Sequence, residues 1–297
     1  MASPRSKRPL DHLVLPVEDL DIARARHSAL GFTVAADARH PFGTENACVF
    51  FADGSYLEPL GIAQREECEA AARQGNVFVA RDQAYRFRRG GNGFSAVVVG
   101  SPDGDADHAR FVELGMSGGE MLEFSRPMKM PDGSEATASF KLSFAADLRT
   151  PDFFGFAVER INVPAADRSV LTTHENGVTG IAEVILSEPN PTDFQYFIQE
   201  LACNREVEAN SFGMSIELEG AMITVYNKAG METHLGVTVP SRERGLTGRA
   251  VVYKVGDLAA VAALLLKNGV TVRQVAGKLI IDPAPGQGAY YCFEEIR

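Results

Sequence analysis

The chain has 297 residues, 45% of them hydrophobic and 23% charged, and carries a formal charge of −10. That length holds two ordinary domains or one large one, and the composition is that of a folded globule. An acidic chain is a poor partner for phosphate backbones, no run of about eighteen apolar residues offers a membrane span, and the four cysteines are far apart with no CxxC pair, so we expect a cytoplasmic protein with reduced thiols and neither nucleic acid nor membrane as partner.

The opening MASPRSKR is basic and polar and lacks the apolar stretch of a secretory signal. HLVLPV, from His12, then reads as a strand, and Asp19 is a good N-cap for a helix that Gly31 stops. Short strands broken by HPFG and DGS follow, as far as Ile62. The basic cluster RDQAYRFRRG (81–90) reads as a solvated loop. From Phe94 the grammar returns: FSAVVV, then Asp103, then Gly115, then strands ending in FFGFAVERI. NVPAADRSVLTTHENG (162–177) is a linker. IAEVIL with Asn190 and Ala202 makes a third copy, and RAVVYKV with Asp257 and Gly269 a fourth. In each copy twelve residues separate cap from helix end. A common frame of this kind outranks any single motif as evidence of architecture. The expected fold is α+β, with four βαβββ units paired into modules at 9–165 and 178–297 and helices starting near Asp19, Asp103, Asn190 and Asp257.

Four such units resemble the vicinal oxygen chelate superfamily, which includes glyoxalases, extradiol dioxygenases and fosfomycin- and bleomycin-resistance proteins. The resemblance is carried by DHLVLPVEDLDIARARHSALGF, RHPFGTEN and YLEPLGI, which are similar to the bacterial glyoxalase-like subfamily, and it extends over residues 9 to about 165. It implies curled mixed sheets whose cup holds a divalent metal ion and a small substrate. It also implies that the first strand's His12 and the last strand's Glu58 are metal ligands on adjacent strands. Strand parity agrees, since His12, Val14 and Pro16 share one face, as do Tyr56, Glu58 and Leu60. An imidazole and a carboxylate suit Zn, Mn, Fe or Ni. His40, in the HPFG turn, is expected to complete the site as ligand or general base, with Glu58 also catalytic and Thr44, Asn46 and Tyr56 contacting substrate; the bland alternative is that His40 only caps its turn.

The later units supply no second His/Glu pair: the second has Ser95 or Ala96 and Glu159, the third Glu183 and Thr224, the fourth Ala250 and Glu294. Of the other histidines, His27 and His108 read as surface or partly buried helix residues and His174 as a solvated linker residue. Neither a Walker loop nor a GxGxxG dinucleotide fingerprint is present. Two functions stay open. One is a metal-assisted lyase or isomerase, less readily an oxygenase, acting on a small oxygenated molecule. The other is a metal-free small-molecule binder of the resistance-protein type. Either would be a monomer or a homodimer.

Overall fold

The computed structural model describes residues 6–129, 135–163, 167–240 and 243–296. Unit one comprises β1 (Leu10–Pro16), α1 (Leu20–Ala29), the short β2 (Ala38–Arg39), β3 (Thr44–Asn46) and β4 (Val49–Phe50), and β5 (Tyr56–Ile62). Two helices follow, α2 (Arg65–Arg73) and α3 (Val77–Arg89). Unit two is β6 (Ala96–Gly100), α4 (Gly104–Glu113), β7 (Leu122–Lys129), β8 (Glu135–Ala145) and β9 (Phe154–Asn162). Unit three has β10 (Gly180–Ser187), a 3₁₀ turn (Pro191–Phe194) leading into α5 (Gln195–Ala202), β11 (Glu208–Asn210), β12 (Gly213–Glu217) and β13 (Met222–Tyr226). After α6 (Lys228–Leu235), unit four runs β14 (Thr247–Val255), α7 (Leu258–Lys267), β15 (Arg273–Val275), β16 (Lys278–Ile281) and β17 (Tyr290–Glu295).

The caps fall where the repeat puts them. Asp19, Asp103 and Asp257 each accept a hydrogen bond at 2.9 Å from the backbone N–H three residues on. Such caps are worth about 1 kcal/mol each. Gly31, Gly115 and Gly269 end their helices at φ +85°, +66° and +69°, backbone that an L side chain resists. Unit three differs because its helix opens with the 3₁₀ turn and closes on Cys203, at φ 51°, one residue beyond Ala202.

Both sheets use one plan. The first is ordered β2-β3-β5-β1-β6-β9-β8-β7, with β4 also on β5, and the second β11-β12-β13-β10-β14-β17-β16-β15. In each, the last strand of a unit lies parallel to its first, and the two first strands of a pair meet antiparallel. Side-chain alternation then divides the core. One face of the first sheet, with Val14, Leu60, Val98 and Phe156, forms the inside of a cup together with Cys68, Phe78 and Val79 from α2 and α3. The corresponding face of the second sheet, with Ile185, Ala250, Val252 and Cys292, packs against Met231 and Leu235 of α6. The opposite faces of both sheets contribute to one shared cluster that includes Phe32, Phe111, Ile198, Tyr253 and Leu265.

A buried ionic network crosses between the halves. Asp107 on α4 accepts from Arg8 Nη2 at 2.7 and 2.8 Å and from Arg110 Nη2 at 3.2 Å. Arg110 Nη1 reaches α5, donating to the Glu200 carbonyl at 2.9 Å and its carboxylate at 3.2 Å.

Several expectations need correction. Residues 81–89 are helical, not loop, and Arg86 is a structural tie: it pairs with Asp82 at 2.7 Å and donates to the carbonyls of Val17 and Leu60. His174 is not solvated. It is buried, accepts from Thr33 N at 3.0 Å and donates to Phe50 O at 2.9 Å, fastening the linker to the first module. His27 is no surface residue either: it has no exposure, Nδ1–H donates to Ala23 O at 2.8 Å, and Nε2 accepts from the Tyr291 hydroxyl at 2.8 Å.

Burial pushes the His27 imidazole down to about 4. The unfolded chain would take up that proton near pH 6.5, so it binds more protons than the fold between pH 6.5 and 4, and stability falls as pH drops through that window. His27 alone should remove about 2 kcal/mol between pH 7.5 and 5. Urea unfolding at both pH values should show a smaller loss, by about that amount, for His27→Gln. An unchanged pH dependence would contradict the assignment.

Among the described residues no helix is long and apolar enough to cross a membrane. All four cysteines are free, and Cys48, Cys68 and Cys292 are buried.

Candidate functional site

The inside of the first cup gathers the polar residues that the first unit supplies. β1 and β5 are parallel neighbours, with His12 opposite Tyr56 and Val14 opposite Glu58. His12 stacks on Tyr56, ring centroids 4.4 Å apart, and meets Phe156 edge-on at 5.7 Å. The pairing of β1 with β6 is irregular between Leu10 and His12, and such a bulge re-aims side chains. There Asp11 accepts from His12 Nδ1 at 2.7 Å, while Arg160 holds the other Asp11 oxygen at 2.9 Å.

The HPFG turn is pinned from outside. Ala63 N and Gln64 N both donate to Gly43 O at 2.9 Å, and Gly43, at φ +93°, lies so close to the start of α2 that a Cβ would stand 2.6 Å from Gln64 O. His40 is thereby fixed on Phe42, centroids 5.0 Å apart, with Nδ1 2.9 Å from Thr44 Oγ1.

Three groups now converge. Glu58 Oε2 lies 3.4 Å from His12 Nε2, and Oε1 lies 3.7 Å from His40 Nε2. Asn46 Nδ2 donates to Oε1 at 2.7 Å and stands 3.5 Å from His40 Nε2. Burial opposes ionisation of Glu58, but His12, His40 and Asn46 outweigh it and hold the carboxyl at about 2. Burial likewise opposes a charge on His12, yet Asp11 and Glu58 raise its pKa. His40, where burial prevails, falls to about 4.

The tautomers follow from the partners. A carboxylate only accepts, so His12 donates Nδ1–H to Asp11, and its raised pKa favours a second proton on Nε2, directed at Glu58 Oε2; a cation arriving there would take that proton's place. The Asn46 amide only donates through nitrogen, so His40 Nε2 presents a lone pair, and its Nδ1–H donates to Thr44. Two imidazole nitrogens thus converge on one carboxylate, a place for a cation, whether the proton that His12 and Glu58 share or a metal that displaces it. The donor types fit a divalent ion, with Asp11 as the outer carboxylate that commonly orients a ligating histidine. Among the described residues, however, no group of three or more His, Cys, Asp and Glu side chains already stands in a metal-holding arrangement. His12 and Glu58 form the close pair, and His40 is the more distant third.

The cavity is about 40 Å³ and is lined by these groups, by Tyr56 and by phenylalanines that include Phe42, Phe78 and Phe124. Thr44, expected to touch substrate, has no exposure and instead holds His40. Glu159 lies elsewhere, accepting from Gly104 N at 2.8 Å. The second unit's positions equivalent to His12 and Glu58 are Ala96 and Phe156, both apolar and buried. Glu294 pairs with Lys278 at 2.9 Å. The stretch 115–119 spells GxSxG, but Ser117 follows a helix and donates to Gly119 O at 3.1 Å, which is not a strand-to-helix nucleophile elbow. Three residues of the site were not anticipated: Asp11, whose only signal was its place beside His12, and Arg126 and Arg160, which gave none. A roomier cavity of about 230 Å³ opens in the second half beside Ser187, Lys228 and Arg249, but it is lined by no histidine, and Arg249 is already paired with Glu243 and Ser187.

A family model described as a glyoxalase-like domain matches residues 10–202. No curated protein matches the chain. Among solved structures, a hypothetical protein from Staphylococcus aureus superposes with a TM-score of 0.67 at 13% identity, over 97% of this chain and 99% of that one. A mutant 4-hydroxymandelate synthase from Streptomyces coelicolor gives 0.61 at 14% identity, over 98% and 93%. The Mn(II)-bound glyoxalase from Novosphingobium aromaticivorans gives 0.53 at 13% identity, over 97% and 83%. At such identities the likeness is one of fold.

Proposed function

Since the chain belongs to the glyoxalase-like domain family of the vicinal oxygen chelate superfamily, we propose that it is a metal-assisted lyase or isomerase acting on a small oxygenated molecule in the first cup. The observation that carries this reading is the convergence of His12 Nε2 and His40 Nε2 on the two oxygens of Glu58. His12 Nε2 and Glu58 would hold a divalent ion, Zn, Mn, Fe or Ni by donor type, with His40 Nε2 as third donor. Such an ion would supply Lewis-acid polarisation of substrate oxygens. Asp11, anchored by Arg160, fixes the His12 tautomer and raises its basicity. If His40 is not a ligand, its burial keeps Nε2 unprotonated near neutral pH, ready to take a proton from substrate. Asn46 orients Glu58, Tyr56 backs His12, and the phenylalanines exclude water. Oxygen chemistry would need the full two-histidine, one-carboxylate set and is the least supported variant.

The second reading is a metal-free binding protein. It is favoured by Ala96 and Phe156, which give the cup no donor from the second unit. Elemental analysis of untagged protein separates the two. The enzyme reading expects about one equivalent of metal in wild type and its loss in His12→Ala. Wild type that stays metal-free after incubation with each candidate ion and dialysis would leave the binding reading alone.

A further inference from the structure

We propose that Arg126 is an anion-binding residue and that the molecule admitted to the first cup is a small monocarboxylate with an apolar body. The proposal rests on reading this cavity as the ligand site, but not on the metal. Arg126, on β7, lines the cavity with His40 and Glu58. Its Nη1 is buried and has no hydrogen-bond partner. Two other guanidinium atoms share that condition, Nε of Arg8 and of Arg81, but those side chains already donate through Nη2, to Asp107 and to Gly118 O. Beside Arg126 stands the face of Phe140, 6.0 Å from the guanidinium carbon.

A buried charged donor without an acceptor is costly, and the cost is recovered when an anion arrives. A guanidinium edge matches a carboxylate in shape and charge. The surroundings select a single negative charge. The cavity offers only about 40 Å³ and is already lined by the Glu58 carboxyl group, which disfavours a bulkier, more highly charged dianion such as a phosphate monoester. The walls beyond the guanidinium are Phe124 and Phe140, which suit a hydrocarbon remainder.

Calorimetry on EDTA-treated protein tests this with acetate, propanoate and benzoate, each against its amide. Wild type should bind at least one acid roughly 10- to 100-fold tighter than the matching amide. Arg126→Gln should lose that preference while binding the amide as before and melting as wild type does, and Arg126→Lys should recover part of it. Equal affinity for acid and amide in wild type, a preference that survives in Arg126→Gln, or no acid bound more tightly than ~10 mM would each overturn the proposal. The metal content of Arg126→Gln keeps the two readings apart. Lost acid preference in Arg126→Gln with metal retained supports the anion site independently of the metal, a metal-holding wild type that binds acid and amide alike refutes the anion site alone, and a wild type without metal that still prefers acids refutes only the metal.

Discussion

Glu58→Gln should leave the protein unable to draw stability from a divalent ion. A ligand that binds only the folded state stabilises it by mass action, about 4 kcal/mol when present at a thousand times its Kd. Wild type titrated with manganese should therefore melt progressively higher, and Glu58→Gln should not. The metal-free variant is expected to stay within about 1 kcal/mol of wild type, because an amide satisfies the same neighbours: its oxygen accepts from Asn46, and its nitrogen donates to the His12 Nε2 lone pair. The difference between the two proteins then isolates the ion. Equal manganese-dependent stabilisation would remove Glu58 from the ligand set, and a collapse of the metal-free variant would mean that the carboxylate is a structural ion-pair partner first.

The second large effect concerns the junction of the halves. Asp107→Ala should cost about 3–5 kcal/mol, the usual consequence of stranding a buried charge. Among the described residues, Asp107 is the one carboxylate that both Arg8 and Arg110 reach, and Arg110 continues to Glu200 across the junction. Asp103→Ala, on the same helix but only an exposed cap, should cost about 1 kcal/mol. Urea unfolding of the pair decides the matter. Similar losses would show that the network is solvated in solution.

How much of this was legible beforehand divides along a physical line. Strand starts, caps and helix ends depend on neighbours a few residues away, so Asp19, Asp103 and Asp257 could be read directly. His12 and Glu58 were legible because strand parity and the family frame agree. What depends on distant partners was not. The His27 imidazole is decided by Tyr291, the His174 ring by Thr33 and Phe50, and Thr44 by its turn closing back on His40. The helix pair α2 and α3 escaped because it lies between repeat units, where the frame that organised the rest is silent. Arg126 sits on a strand whose pattern marks no chemistry, and only the folded cup gives its guanidinium a role.

The two cups share a scaffold yet differ in what lies at their centre, and the difference comes from insertions at the same point of each pair. α2 and α3 roof the first cup with Phe78 and leave a polar floor open beneath it. In the second, Met231 and Leu235 of α6 pack on Ile185 and Val252, and the open space, about 230 Å³, is left at the rim beside Ser187 and Lys228. Admission of a guest is thus decoupled from the sheets and delegated to a detachable part. A protein engineer who wanted the second chamber to reach the sheet would leave every strand untouched and redesign the eight residues of α6.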